Sequence, residues 1–188
     1  MDAKVVDIKE KLEKSLKQTS DLAAQLLAAQ QAGKVPHYDD IEIPAHDLGK
    51  RLSRAIQGER MRELALQERK GTRCPDCNRT VRIEIEVRGI TSMDGPIELT
   101  EPVAQCRHCR RSFFPSKGRI GTRRASLDAR ASTPGFKHKV VFVNAEIRSL
   151  KRSTELLSRV LEIETSTKTI ERICFAVGND LEVAAKEN

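Results

Sequence analysis

Four cysteines, arranged as two pairs with the same internal spacing, are the residues best suited to chemistry in this 188-residue chain. The pairs are Cys74-Pro75-Asp76-Cys77, the first knuckle, and Cys106-Arg107-His108-Cys109, the second knuckle. A two-residue gap lets one tight turn direct two thiolates at one metal, and Zn²⁺ favours four such ligands in a tetrahedron. The spacing therefore predicts one Zn²⁺ held by Cys74, Cys77, Cys106 and Cys109. Four thiolates leave no open coordination position, so we expect a structural site.

Other uses of these cysteines are weaker predictions. Two disulfides would leave Cys174 unpaired, and the chain opens without an apolar signal segment. A thioredoxin-like redox pair would account for only one knuckle. We interpret Cys174 as a small buried hydrophobe, and His108 as a solvated or phosphate-facing side chain that the metal does not need.

Composition and charge narrow the class of protein. Aromatic residues make up 3% of the chain, with no Trp, which argues for small modules rather than one large core. No apolar run approaches the length of a membrane span, and free-thiol usage suggests a cytoplasmic protein. The formal charge of +7 is concentrated in residues 104–152, where thirteen Lys and Arg stand against two Asp and Glu. Such a stripe is typical of a phosphate-binding surface, although a solvated basic segment is the alternative.

Two long helices are predicted before the first knuckle. Apolar residues recur at three- or four-residue steps from Ala3 to about Gln31, and Gly33 and Pro36 end the pattern. This narrow stripe suits a coiled-coil seam or packing on the chain's own domain. We expect a loop from Val35 to Pro44 and a second helix from about Ala45 to Arg69.

A change of period to two predicts an antiparallel hairpin between the knuckles. Val81, Ile83, Ile85 and Val87 alternate with charged residues, as in a strand with one buried face. Met93-Asp94-Gly95-Pro96 predicts the turn, and a return strand then leads to Cys106. Phe113 and Phe114 follow the second knuckle and are expected to cover the ribbon's small core.

The last fifty residues return to a helical period. Phe136 to Ser149 predicts one helix, although its β-branched run leaves a strand open. Leu150 to Leu161 predicts another, and Ser166 is the expected N-cap of a third. Two helices joined by a short turn are typical of a helix-turn-helix, and a plain helical hairpin would show the same pattern.

We therefore expect an α+β chain of several modules: N-terminal helices, a four-cysteine zinc ribbon of β-hairpins, and a C-terminal helix-turn-helix bundle. The predicted boundaries are 1–70 for the helical region, 71–116 for the ribbon, 117–135 for a basic linker and 136–188 for the helix-turn-helix-like domain. In a helix-turn-helix the second helix enters the major groove by its N-terminal residues, here Thr167, Lys168, Thr169 and Arg172. The expected phosphate contacts are Arg110, Arg111, Lys117, Arg119, Arg123 and Arg124.

The order of these parts resembles a known family. The runs CPDC, MDGPIEL, CRHCRRSFFP and SLKRSTELLSRVLEIETSTKTIERICFAVGNDLE, preceded by HDLGKRLSRAI, are similar to the region ahead of the catalytic domain in ISKra-type bacterial insertion-sequence transposases. The resemblance spans about residues 45–185. It implies binding of double-stranded DNA, and it implies that the catalytic carboxylates belong to an RNase-H-like domain beyond this region. No residue here receives a catalytic role from it, so we expect no enzyme and no small-molecule substrate.

Two other functions remain open from the sequence. The first is a protein-interaction module in which the N-terminal helix forms a homo-oligomer or a heterotypic coiled coil and zinc only holds the hairpin. The second is a nuclease or transferase, which the closed four-thiolate site and the lack of a convergent acidic cluster disfavour.

Overall fold

The computed structural model describes residues 2–67, 71–113 and 132–186. Within these ranges the chain is α+β, as predicted, with five helices and two small antiparallel sheets. The elements are α1 (Ala3–Gln30), α2 (Asp39–Gln67), β1 (Thr72–Arg73), β2 (Thr80–Val81), β3 (Ile83–Ser92), β4 (Gly95–Cys106), β5 (Arg111–Phe113), α3 (Pro134–Ile147), α4 (Leu150–Leu161) and α5 (Thr167–Lys186). None of the helices in these ranges combines the length and the apolar character needed to cross a bilayer.

The chain divides into two compact units, residues 1–50 and 51–188. In the first unit, α1 begins where the Asp2 carboxylate accepts a hydrogen bond from the Lys4 N–H at 3.0 Å. It ends just before Gly33, whose φ of +81° suits glycine. The helix predicted from Ala3 to about Gln31 is confirmed. No residue of α1 is buried, so the described structure leaves its apolar stripe open.

Helix α2 begins at Asp39, earlier than the predicted Ala45, so the expected loop from Val35 to Pro44 is wrong over its last residues. Acidic residues in the first turn favour a helix N-terminus. Pro44 lies inside the helix and cannot donate to the Asp40 carbonyl. The Gln31 side-chain amide donates to that carbonyl instead, at 2.9 Å.

The predicted hairpin is present as β3 and β4, joined by a turn at Met93 and Asp94. Ser92 pairs with Gly95, and the φ of +103° at Gly95 explains the glycine there. The part of α2 that belongs to the second unit packs on this turn. The Ser53 hydroxyl donates to the Asp94 carboxylate at 2.6 Å, and the Arg54 guanidinium donates to the Asp94 carbonyl at 2.7 Å.

The hairpin buries opposite faces at its two ends. Near the knuckles, Ile83 pairs with Ala104 and both are buried. Near the turn, Ile90 pairs with Ile97 on the other face, where Met61 of α2 packs against them. The expectation that Val87 continues the first buried face is therefore wrong, because its side chain is 60% exposed. Between the ends, Arg88 donates to the buried Glu101 carboxylate at 2.6 and 3.2 Å.

The second unit also contains three helices around one apolar core. The predicted segment from Phe136 is helical, as α3, and not a strand; Thr133 caps it by accepting from the Phe136 N–H at 3.3 Å. Helix α4 has the predicted bounds. The buried residues of the core are Phe136, Val140, Val143, Leu157, Ile163, Ile170 and Ile173.

The connection between α4 and α5 is held by backbone caps. Glu162 adopts a left-handed conformation with φ of 52°, and the Ile163 N–H then donates to the Leu157 carbonyl at 2.8 Å. Ile163 itself is buried in the core. The Ser166 hydroxyl accepts from the Thr169 N–H at 3.2 Å, which confirms the predicted N-cap of α5.

Candidate functional site

Each knuckle is the turn of a short antiparallel pairing. The first joins β1 to β2, and the second joins β4 to β5. The residue after each second cysteine, Asn78 or Arg110, has a left-handed backbone with φ of 57° or 52°. The Asn78 N–H donates to the Cys74 carbonyl and the Cys74 N–H to the Arg79 carbonyl, both at 2.9 Å. The matching backbone at both sites directs the two cysteines of each knuckle toward one point.

The four predicted cysteines come together. Their sulfur atoms all lie within 4.8 Å of one another. The Sγ atoms of Cys74 and Cys109 are 3.9 Å apart, and those of Cys77 and Cys106 are 3.6 Å apart. Sulfurs bound tetrahedrally to zinc at about 2.3 Å would stand about 3.8 Å from each other, whereas a disulfide needs about 2.05 Å. The cysteines are free, and the cluster fits a single tetrahedral metal.

Apolar residues surround the sulfur cluster. Cys74 and Cys106 are buried, and Cys77 and Cys109 are half-buried. Val81, Ile83 and Ala104 form the buried part of the surrounding shell. Phe113 packs against this group as predicted, while Phe114 lies outside the described residues. The shell is small, so a bound metal would supply folding free energy that so little apolar burial cannot.

Hydrogen bonding within the cluster separates the pKa values of two thiols, those of Cys106 and Cys109. The backbone N–H of Cys109 lowers the pKa of Cys106 to about 7 by stabilising its thiolate. A hydrogen bond with Cys77 raises the pKa of Cys109 to about 12, as does its partial burial. The Cys106 thiol therefore loses its proton more readily than the Cys109 thiol. A metal that binds all four as thiolates must release the protons that remain.

The two knuckles are also joined by an ion pair. The Arg111 guanidinium donates to both carboxylate oxygens of Asp76, at 3.1 and 3.0 Å. Arg111 follows the second knuckle and Asp76 lies inside the first, so the pair ties the two halves of the site together. Arg111, which was expected to contact DNA phosphates, therefore contacts a carboxylate of the protein itself.

The remaining cysteine lies elsewhere. Cys174 packs against the three-helix core, as predicted, but it is half-buried rather than buried, and this burial raises the pKa of its thiol. His108 is exposed and does not belong to the group of residues that can hold a metal.

The other predicted site residues fall into two groups. Arg110 is exposed beside the second knuckle, while Lys117, Arg119, Arg123 and Arg124 lie outside the described residues. At the start of α5, Thr167, Lys168 and Arg172 are exposed and Thr169 is half-buried. The Thr169 hydroxyl lies 3.0 Å from that of Ser166, so it takes part in the cap of the helix.

The chain was also compared with known proteins. It matches no protein-family model and no curated protein. The resemblance to ISKra-type transposases therefore stays a prediction from the sequence runs quoted above.

Proposed function

We propose that this protein is a zinc-dependent DNA-binding protein, similar to the part of an ISKra-type transposase that precedes the catalytic domain. The observation that carries the proposal is the set of four free sulfurs at tetrahedral spacing, built on the hairpin that leads into the most basic part of the chain. The metal has a structural role, and the protein itself binds DNA without cutting it.

Zinc is the metal that this donor set favours. Four thiolates are soft ligands, and a tetrahedral S₄ arrangement is typical of zinc or an iron–sulfur centre. Two Cys-x-x-Cys knuckles at the ends of short hairpins are typical of structural zinc ribbons. When bound, the ion would hold the knuckles together in place of a larger core.

DNA binding is supported by the surface of α5. Its first turns bury Ile170 and Ile173 in the three-helix core, while Lys168 and Arg172 are exposed. In a helix-turn-helix, residues at the N-terminus of the second helix contact base edges. We propose that α4, the connection at residues 162–166 and α5 form such a unit, with Thr167, Lys168, Thr169 and Arg172 facing the major groove.

The basic residues that follow the second knuckle would supply phosphate contacts. Contacts to phosphates dominate affinity and do not depend on sequence, whereas contacts to base edges set preference. Arg110, Lys117, Arg119, Arg123 and Arg124 therefore have a different proposed role from the residues of α5.

Selection from a pool of random duplexes, with the zinc-loaded full chain, tests the proposal. We expect one enriched sequence and binding that falls steeply with salt. Lys168→Ala should change the preferred bases, whereas Lys186→Ala, at the far end of the same helix, should not. Charge reversal of Arg123 and Arg124 should weaken all sequences alike. No binding to any duplex at low salt would refute the proposed function.

A second candidate function is supported by α1. Its apolar residues Val5, Ile8, Leu12, Leu16, Leu22 and Leu26 form one stripe, and each is at least 39% exposed. Five of the six fit the a and d positions of a heptad, which is the seam of a helical dimer. Since α1 carries five lysines and four acidic residues, a second copy would meet little net repulsion. We infer that α1 forms a homotypic coiled coil.

Light scattering after size exclusion tests this second candidate. Leu12→Asp with Leu22→Asp should reduce the mass of the full chain to that of a monomer. Ala24→Asp with Ala28→Asp adds the same charge on the opposite side of α1 and should leave the mass unchanged. If the wild-type chain is monomeric at every concentration tested, the homotypic contact does not exist.

A further inference from the structure

A solvent-open groove of about 340 Å³ lies beside the second knuckle. The residues of its wall that matter for binding are Arg79, Arg82, Glu84, Gln105, Arg107 and His108. All six are exposed, so their side chains are accessible to a ligand. Three arginines and one carboxylate line the groove, and Cys106 of the four-cysteine cluster lines it as well; with Zn²⁺ bound, the ion and its four thiolates would together carry two negative charges.

The three arginines of the groove have no carboxylate partner among the residues that the structure describes. Among the other described arginines, Arg60, Arg62, Arg88 and Arg111 each form an ion pair with an Asp or Glu, whereas several more, such as Arg73, Arg110 and Arg172, form none. What distinguishes the groove is that three arginines without an ion pair among the described residues line one surface. Exposed guanidinium groups that are not held by a carboxylate can bind the oxygens of an anionic ligand.

The backbone around the groove is fixed by its neighbours. Arg79 follows the left-handed residue Asn78, and its carbonyl accepts from the Cys74 N–H at 2.9 Å. Arg82 lies between β2 and β3, next to the buried Ile83. Arg107 lies inside the second knuckle itself. Both walls are therefore attached to the four-cysteine cluster, and the arginines keep their relative positions only while the knuckles keep theirs.

We propose that this groove binds the phosphate backbone of duplex DNA through Arg79, Arg82 and Arg107. The inference rests on the proposed DNA-binding function and adds a contact surface separate from α5. Guanidinium groups bind phosphate oxygens in bidentate fashion, and Gln105 can donate to a further oxygen. Such contacts position the protein without selecting bases, so the metal cluster and DNA affinity are linked through the same two turns.

The test measures the affinity of the zinc-loaded full chain for a duplex at several salt concentrations. Each phosphate contact contributes about 0.9 to the slope of log affinity against log salt. Arg82→Gln with Arg107→Gln should therefore reduce the magnitude of the slope by about 1.8, and to the same extent on unrelated duplex sequences. Arg82→Lys with Arg107→Lys keeps both charges and should retain most of the slope.

The matched control is Arg60→Gln with Arg62→Gln, which removes two positive charges whose partners are Glu63 and Glu59 on α2. Its slope should stay within about 0.5 of wild type, because paired arginines release few counterions. A zinc content of one per chain in every variant shows that the knuckles are intact.

The outcomes distinguish the groove from the wider function. If the wild-type chain binds DNA but the glutamine pair has the wild-type slope, the groove proposal is refuted and the DNA-binding function stands. The groove proposal is also refuted if the glutamine pair and the control lower the slope equally, or if the lysine pair fails to restore it. If the wild-type chain binds no duplex, both proposals fall together.

Discussion

Removing the guanidinium of Arg88 should destabilise the β3–β4 hairpin that carries the second knuckle. Arg88 donates two hydrogen bonds to Glu101, whose side chain is only 4% exposed. The residue directly across from Glu101 is Glu86, another acid. In Arg88→Ala, the Glu101 carboxylate would remain buried next to a like charge, and the described part of the chain offers it no other ion-pair partner.

The expected cost is about 3 kcal/mol, at the lower end of the range for such a loss. Removing one partner of a buried ion pair costs about 3–5 kcal/mol because the other charge is left uncompensated. The Arg88 side chain keeps 27% of its surface exposed, so water screens part of the interaction and the lower end applies. Replacing both partners together, as Arg88→Ala with Glu101→Leu, removes the charge and should cost less than about 1 kcal/mol.

Urea denaturation of the zinc-loaded chain, followed by hydrogen exchange of the amides in β3 and β4 and in α2, measures these differences. Arg60→Ala serves as the control, since its pair with Glu63 is exposed and should be worth less than about 1 kcal/mol. The role assigned to the buried ion pair is refuted if Arg88→Ala costs no more than this control. It is also refuted if the double replacement is as destabilising as Arg88→Ala alone.

Three further predictions concern the rest of the fold. Chelation of zinc should abolish hydrogen-exchange protection in residues 72–113 and leave α3–α5 protected; retained protection in both would contradict the role given to the metal. Phe136→Ala should cost about 3–5 kcal/mol in thermal or urea unfolding, and Phe142→Ala, at an exposed position of the same helix, less than about 0.5; equal costs would contradict the assigned core. Ser166→Ala should cost about 1 kcal/mol by the same measurement, because the Thr169 N–H loses its acceptor, and an unchanged stability would contradict the cap.

Features set by local chemistry were predictable from the sequence. The spacing of two knuckles located the four-cysteine cluster because a tight turn can deliver only neighbouring sulfurs to one point. Helices α1 and α4 follow from apolar periodicity and from the residues that stop them. The N-cap at Ser166 depends on a hydrogen bond three residues away, which is also local.

Features set by distant residues were not predictable in this way. The hydrogen bond to the Asp40 carbonyl that Pro44 cannot make comes from the side chain of Gln31, nine residues away. The exposure of Val87 depends on which element covers each end of the hairpin, and alternation along one strand carries no information about that. Neither dependence can be recognised in the run of residues where its effect appears.

The groove was missed for a similar reason. Arg79 and Arg82 follow the first knuckle, Arg107 lies within the second, and the net charge of residues 71–103 is negative. The charge of each segment therefore favoured residues 104–152 as the binding surface. A cation within five residues of each knuckle was the available signal, because the knuckles are the parts that the metal brings together. The left-handed backbone at residue 78 had a clearer sequence signal, because Asn tolerates that conformation better than most residues.

The proposed function depends most on how tightly the full chain binds a selected duplex with its zinc in place and again after chelation. We expect one zinc per chain, tight binding at low salt that weakens steeply as salt rises, and loss of that binding when zinc is removed. Adding zinc back should restore it. A zinc-loaded chain that binds no duplex, or one that binds equally well after chelation, would contradict zinc-dependent DNA binding.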